Sequence, residues 1–115
     1  MDKIINQFYI ACREGKIAII KNFLNDKQYD LNKKNQDGMT GFHYACKNGH
    51  LAIVEFLMKN SKIDINTQNN DGEIPLHSAC LNVYLTIIKI LIKDSRLKIN
   101  TQNKYGITAF HYACA

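Results

Sequence analysis

The sequence predicts an all-α chain built as an α-solenoid, in which short helix pairs stack in a row and β-hairpin loops join them. Three observations carry that prediction. The stretch Asp37–Cys46 recurs as residues 71–80 and again as 105–114, with glycines at 38, 72 and 106 and histidines at 43, 77 and 111, each series stepping by 34. Between recurrences, apolar residues fall at helical spacing in two short runs per period. Each period also carries a glycine where a first helix must stop, or an Asp-Gly pair where an extended stretch must turn. Self-similarity at a fixed period of this length marks units that cannot bury their apolar faces alone and stack to do so.

The elements follow in order. A first helix over 3–14 has Asp2 as N-cap and Ile4, Ile5, Phe8, Ala11 and Cys12 on one face, and Gly15 ends it. A second, about 16–26, places Ile19, Ile20, Phe23 and Leu24 on one stripe. Tyr29 to Asn32 reads as a short alternating segment leading to the turn at Asp37-Gly38. The next unit repeats the order: a helix at 40–48 with Thr40 as N-cap and Phe42, Ala45 and Cys46 inward, then one at 50–59 carrying Leu51, Ile53, Val54, Leu57 and Met58. In the third unit Pro75 stands at the first helical turn, where its missing N–H costs nothing. Leu76, Ala79 and Cys80 face inward there, and Leu85, Ile87, Ile88, Leu91 and Ile92 line the following helix. The units run about 1–34, 35–68 and 69–102, with a partial fourth at 103–115, all in a single domain spanning 1–115. The fourth unit reaches Ala115 before a second helix begins. A longer array cut at this point is the favoured expectation; Phe110 and Ala113 serving as a makeshift lid is the other.

Valine at 83 stands where the other units place glycine. A β-branched residue there is strained or forces a different turn. The small pairs Ala45/Cys46, Ala79/Cys80 and Ala113/Cys114 let neighbouring helices approach closely.

The motifs Thr40-Gly41-Phe42-His43, Ile74-Pro75-Leu76-His77 and Thr108-Ala109-Phe110-His111, with Asn48-Gly49-His50-Leu51 and Asp64-Ile65-Asn66, resemble those of the ankyrin repeat. The resemblance covers essentially the whole chain. The period of 34 exceeds the family's usual 33, with the extra residue in Asn60-Ser61-Lys62, and Ile74 and Val83 depart from its threonine and glycine.

The resemblance implies a non-catalytic scaffold that binds a protein partner through the hairpin tips and the concave face of each first helix. Carried onto this sequence, the contact positions are Arg13 with Glu14 beside it, then Gln36, Asp37, Met39, Lys47 and Asn48. They continue as Asn70, Asp71, Glu73, Leu81 and Asn82 in the third unit, and Lys104, Tyr105 and Ile107 in the fourth. Met39, Leu81, Tyr105 and Ile107 are apolar or aromatic groups at places expected to be wet, and such anchors are enriched at interfaces. Asp37 and Asp71 double as ordinary turn residues. A monomer is expected, with end-to-end association through the incomplete fourth unit as a competing, self-assembling role.

The pairs His43/Cys46, His77/Cys80 and His111/Cys114 lie at i, i+3, a spacing that puts two soft ligands on one helical face. The resemblance instead gives each histidine a bond to the neighbouring loop, and each cysteine recurs in register at a core position. No metal site and no cofactor is therefore expected, and His50 is read as structural on the same ground. A Cys–His nucleophile needs an exposed thiolate, and neither a phosphate-cradling glycine loop nor a paired-carboxylate motif occurs. The chain is not read as an enzyme.

Formal charge is +5, from 15 Lys+Arg against 10 Asp+Glu; 13 of the cations are lysine, beside 13 asparagines and 16 isoleucines. That bias fits an AT-rich gene and a solvated surface. A basic outer face at Lys21, Lys89 and Lys93 keeps nucleic acid as an alternative partner, without any reader motif to support it. No apolar run is long enough for a membrane span or, at Met1 to Ile5, for a signal peptide. Equivalent cysteines on helices stacked roughly 8–10 Å apart cannot easily meet the limit of about 7 Å for a disulfide, so free thiols in a reducing compartment are expected. An intracellular site, cytoplasmic or nuclear, follows as the default.

Overall fold

Thr40 shows how a unit begins. Its Oγ1 accepts the N–H of His43 at 3.2 Å, and His43 Nδ1 accepts the N–H of Thr40 at 3.2 Å. Two amides that a helix start leaves open are thereby satisfied reciprocally. Ile74 has no hydroxyl, so in the third unit only the histidine half remains, with His77 Nδ1 accepting from Ile74 N–H at 3.1 Å.

The computed structural model describes residues 2–25 and 29–114. Its elements are α1 (Asp2–Glu14), α2 (Ile17–Leu24), α3 (Gly41–Lys47), α4 (Leu51–Met58), α5 (Pro75–Leu81), α6 (Leu85–Ile92) and α7 (Ala109–Cys114). The side-chain roles read for Asp2, Ile4, Ile5 and Cys114, and the extension of the second helix to Asp26, lie outside the described residues. Helices α1, α3, α5 and α7 contact one another in a first row, while α2, α4 and α6 form a second row. The pairs α1–α2, α3–α4 and α5–α6 pack within their units. The dimensions, 38 × 26 × 23 Å, have one long axis, as a stack requires.

The core runs between the rows. Phe8, Phe42, Ile20, Ile53, Leu57, Leu76, Ile87 and Leu91 are fully buried, with Ala11, Ala45 and Ala79 filling the tight contacts between first-row helices. Each large side chain contributes about 1.5–3 kcal/mol. Ile19, Leu85 and Ile92 depart from the expected inward stripes and are exposed. For Leu85 and Ile92 the reason is positional: among the described residues, α6 has no second-row helix beyond it.

Each helix pair bends through one left-handed residue, Gly15 at φ 84°, Gly49 at φ 75° and Val83 at φ 57°. At Gly49 a Cβ would come within 2.7 Å of the Tyr84 ring, which explains the glycine. Val83 takes the same conformation without that freedom, so the strain expected of it is present.

The fingers between units are hairpin-shaped, but no strand forms among the described residues. Asn35 organises the first. Its N–H donates to the Met39 carbonyl at 2.9 Å, and its Oδ1 accepts the N–H groups of Asp37 and Met39, both at 3.0 Å. Asn69 and Asn103 do the same one and two periods on. Adjacent fingers are tied by single backbone bonds, Asn70 N–H to Asp37 O at 3.1 Å and Lys104 N–H to Asp71 O at 2.8 Å.

Candidate partner-binding surface

His43 and His77 join each unit to the next. Because His43 Nδ1 accepts from a backbone N–H, its proton sits on Nε2, which donates to the Glu73 carbonyl at 3.0 Å. His77 Nε2 donates to the Ile107 carbonyl at 2.9 Å in the same way. Neither ring retains a lone pair to offer a metal. Burial lowers the His43 pKa to about 4, with the nearby Lys34 charge acting the same way. His50 makes a third link, its Nε2 lying 2.6 Å from the Arg13 carbonyl.

Cys12, Cys46 and Cys80 are buried free thiols, and burial raises the pKa of each. A neutral thiol in a packed core is no nucleophile.

The residues expected at the surface divide into two groups. Several are committed to the scaffold. Met39 is buried, a correction to its expected wet position, because the second finger folds over it and Asn69 Nδ2 donates to its Sδ at 3.4 Å. Asn48 Nδ2 donates to the Tyr44 carbonyl at 3.1 Å and Asn82 Nδ2 to the carbonyls of Ser78 and Lys47 at 3.0 and 3.1 Å. Asn70 Nδ2 bonds the Gln36 carbonyl at 2.8 Å. Glu73 and Ile107 are half-buried. The remainder stand in solvent: Arg13, Glu14, Gln36, Asp37, Lys47, Leu81 and Tyr105 are all exposed. Tyr105 is 69% accessible, and Lys104 Nζ lies over its ring while pairing with Asp71 at 2.8 Å.

The structure adds a groove that the sequence pattern did not single out. It lies between α1 and the first finger, encloses about 580 Å³, and is lined by Tyr9, Ile10, Lys33, Lys34 and Tyr44 together with Arg13 and Gln36. The Tyr9 hydroxyl donates to the Lys33 carbonyl at 2.6 Å, and burial pushes its pKa up to about 12. Tyr9 meets Tyr44 edge-on at 6.0 Å. The available signal was that Ile10, Tyr44, Ser78 and Tyr112 occupy one repeat position, which changes between isoleucine, tyrosine and serine.

Lys21, Lys89 and Lys93 are exposed on the second row, away from this groove, with Lys21 Nζ over the Phe56 ring at 5.5 Å. Among the described residues, no helix is long and apolar enough to cross a membrane.

A family described as Ankyrin repeats (3 copies) matches residues 8–103 and 62–115. No curated protein matches the chain. With the repeated histidine links, the finger turns and a match that spans nearly all of its length, the chain belongs to the ankyrin repeat family.

Proposed function

We propose that this chain is a non-catalytic protein-binding module that holds its partner along the finger tips and the exposed side of the first-row helices. Ankyrin repeats generally serve protein–protein interaction. One observation carries the finer reading. Where the scaffold is fixed the chain repeats itself, as at His43, His77 and His111; along the solvent-facing row each position changes residue type at least once. Arg13, Lys47 and Leu81 share one repeat position; Gln36, Asn70 and Lys104 share a second; Asp37, Asp71 and Tyr105 share a third. Cation, amide, carboxylate and aromatic group thus alternate on a common frame, which suits recognition of one irregular surface.

Selection of binders from a displayed random-peptide library tests this. Selected peptides should lose about tenfold in affinity on Lys47→Ala plus Tyr105→Ala, in line with truncation of interface anchors, while helical circular dichroism stays unchanged. Failure to select any peptide, or binding indifferent to both changes, would sink the proposal.

A second reading has its own observation. Val83, Leu85 and Ile92, 64%, 62% and 43% exposed, leave an apolar end on the stack, which suits end-to-end self-association. Light scattering across a concentration series separates it from a monomeric binder.

A further inference from the structure

The chain contains a carboxylate site that it fills itself. Tyr112 donates its hydroxyl proton to Glu73 Oε2 at 2.6 Å, and the same phenol oxygen accepts from Asn103 Nδ2 at 3.1 Å. Asn103 Nδ2 also reaches Glu73 Oε2 at 3.1 Å. The bond to the Glu73 carboxylate pushes the Tyr112 pKa up to about 12.

Two periods earlier, Tyr44 and Asn35 form the same pair, with Asn35 Nδ2 donating to the Tyr44 phenol oxygen at 2.7 Å. The carboxylate is missing. The position two periods before Glu73 is Ile5, which has none to offer. Among the described residues, the Tyr44 hydroxyl proton has no acceptor.

Tyr44 lines the groove between α1 and the first finger, and the charged residues lining that groove are Arg13, Lys33 and Lys34, with no Asp or Glu among the lining. Lys34 Nζ is occupied by the Gln68 carbonyl at 2.8 Å. Arg13 and Lys33 are exposed, and among the described residues neither has a carboxylate within ion-pair distance. Ile10, 39% exposed, adds an apolar wall.

We infer that this groove seats an acidic, partly apolar segment of the protein partner, one Asp or Glu carboxylate accepting from Tyr44 Oη between Arg13 and Lys33 as Glu73 does from Tyr112. The inference rests on the protein-binding reading and specifies the chemistry of its partner. A carboxylate is favoured over nucleic-acid phosphate because the chain's own copy of the site holds a carboxylate and because an apolar wall adjoins it. Charge-assisted bonds from Arg and a phenol are among the stronger polar contacts.

Fluorescence anisotropy with the full chain tests it, using a labelled peptide of alternating Glu and Leu, its Gln counterpart, and a labelled oligothymidine. The Glu peptide should bind at least about tenfold tighter than the Gln peptide, and Tyr44→Phe should cost about tenfold, the usual worth of one hydrogen bond to a charged group. Arg13→Gln should weaken it comparably, while Tyr112→Phe and Lys89→Gln should leave it unchanged; circular dichroism reports the fold of each variant. Equal binding of the Glu and Gln peptides, binding indifferent to both Tyr44→Phe and Arg13→Gln, or displacement of the Glu peptide by oligothymidine would each overturn the inference. Should the library instead yield neutral or basic peptides sensitive to Lys47→Ala plus Tyr105→Ala, this inference fails while the protein-binding role stands. An empty selection fails the role itself.

Discussion

Asn32 accepts the backbone N–H of Asp64 on its Oδ1 at 2.8 Å while its Nδ2 donates to the Lys62 carbonyl at 2.8 Å, so one side-chain amide in the first unit binds the second as a peptide strand would. Asn66 repeats the arrangement with Lys98 N–H and the Arg96 carbonyl, both at 2.8 Å. Asn66→Ala should lower unfolding free energy by about 1–2 kcal/mol, the range for losing paired polar contacts. Asn66→Asp should cost at least as much, because it keeps the acceptor but turns a carboxylate towards the Arg96 carbonyl. Urea titration of the two variants checks the order; a silent Asn66→Asp would refute the bridging role.

His43 links stability to pH. Its folded pKa is lowered to about 4 by burial, against 6.5 for the free group. Between those values the unfolded chain takes up a proton that the folded one refuses, so stability is full above about pH 6.5 and declines as pH falls towards 4. The decline attributable to His43 should approach about 3 kcal/mol. His43→Gln should be less stable at pH 7 yet flatter over that window, as read by thermal melts at several pH values.

Two backbone positions reverse the usual expectations. Val83 sits at φ 57° with its side chain 64% exposed, so Val83→Gly should raise stability by about 1 kcal/mol. Gly41→Ala, ordinarily favourable in a helix, should instead cost about 1–3 kcal/mol by overpacking. The added Cβ would overlap the Phe8 ring and lie 2.8 Å from Cys12 Sγ. Chemical denaturation of both variants reads the signs.

Buried thiols should be unreactive. Cys12, Cys46 and Cys80 should resist a disulfide reagent in native buffer and react on denaturation, since burial disfavours the thiolate. Fast labelling of Cys46 in the native state would contradict the packing described.

The fold was legible in the sequence because its framework is periodic: the glycines, histidines and Ala-Cys pairs at intervals of 34 mark the same physical place in each unit. Much of the surface was less legible. Met39 looks wet by its repeat position but is covered by the next finger, a contact between units that no local pattern reveals. The asparagine richness, read as codon bias, contains the amides that turn the fingers at Asn35, Asn69 and Asn103 and bridge units at Asn32 and Asn66. Arg96 was likewise missed. Its guanidinium holds the Met58 carbonyl at 3.0 Å at the end of α4 while pairing with Asp94 at 2.7 Å. The groove at Tyr44 emerges only when α1 and the first finger are brought together.

Amide chemical-shift mapping of the isotope-labelled chain with a library-selected peptide is the most direct test of the binding surface. Perturbations should centre on Arg13, Gln36, Tyr44, Lys47 and Tyr105, with α2, α4 and α6 quiet. Shifts concentrated at Lys21, Lys89 and Lys93, or at Leu85 and Ile92 on the apolar end, would contradict it.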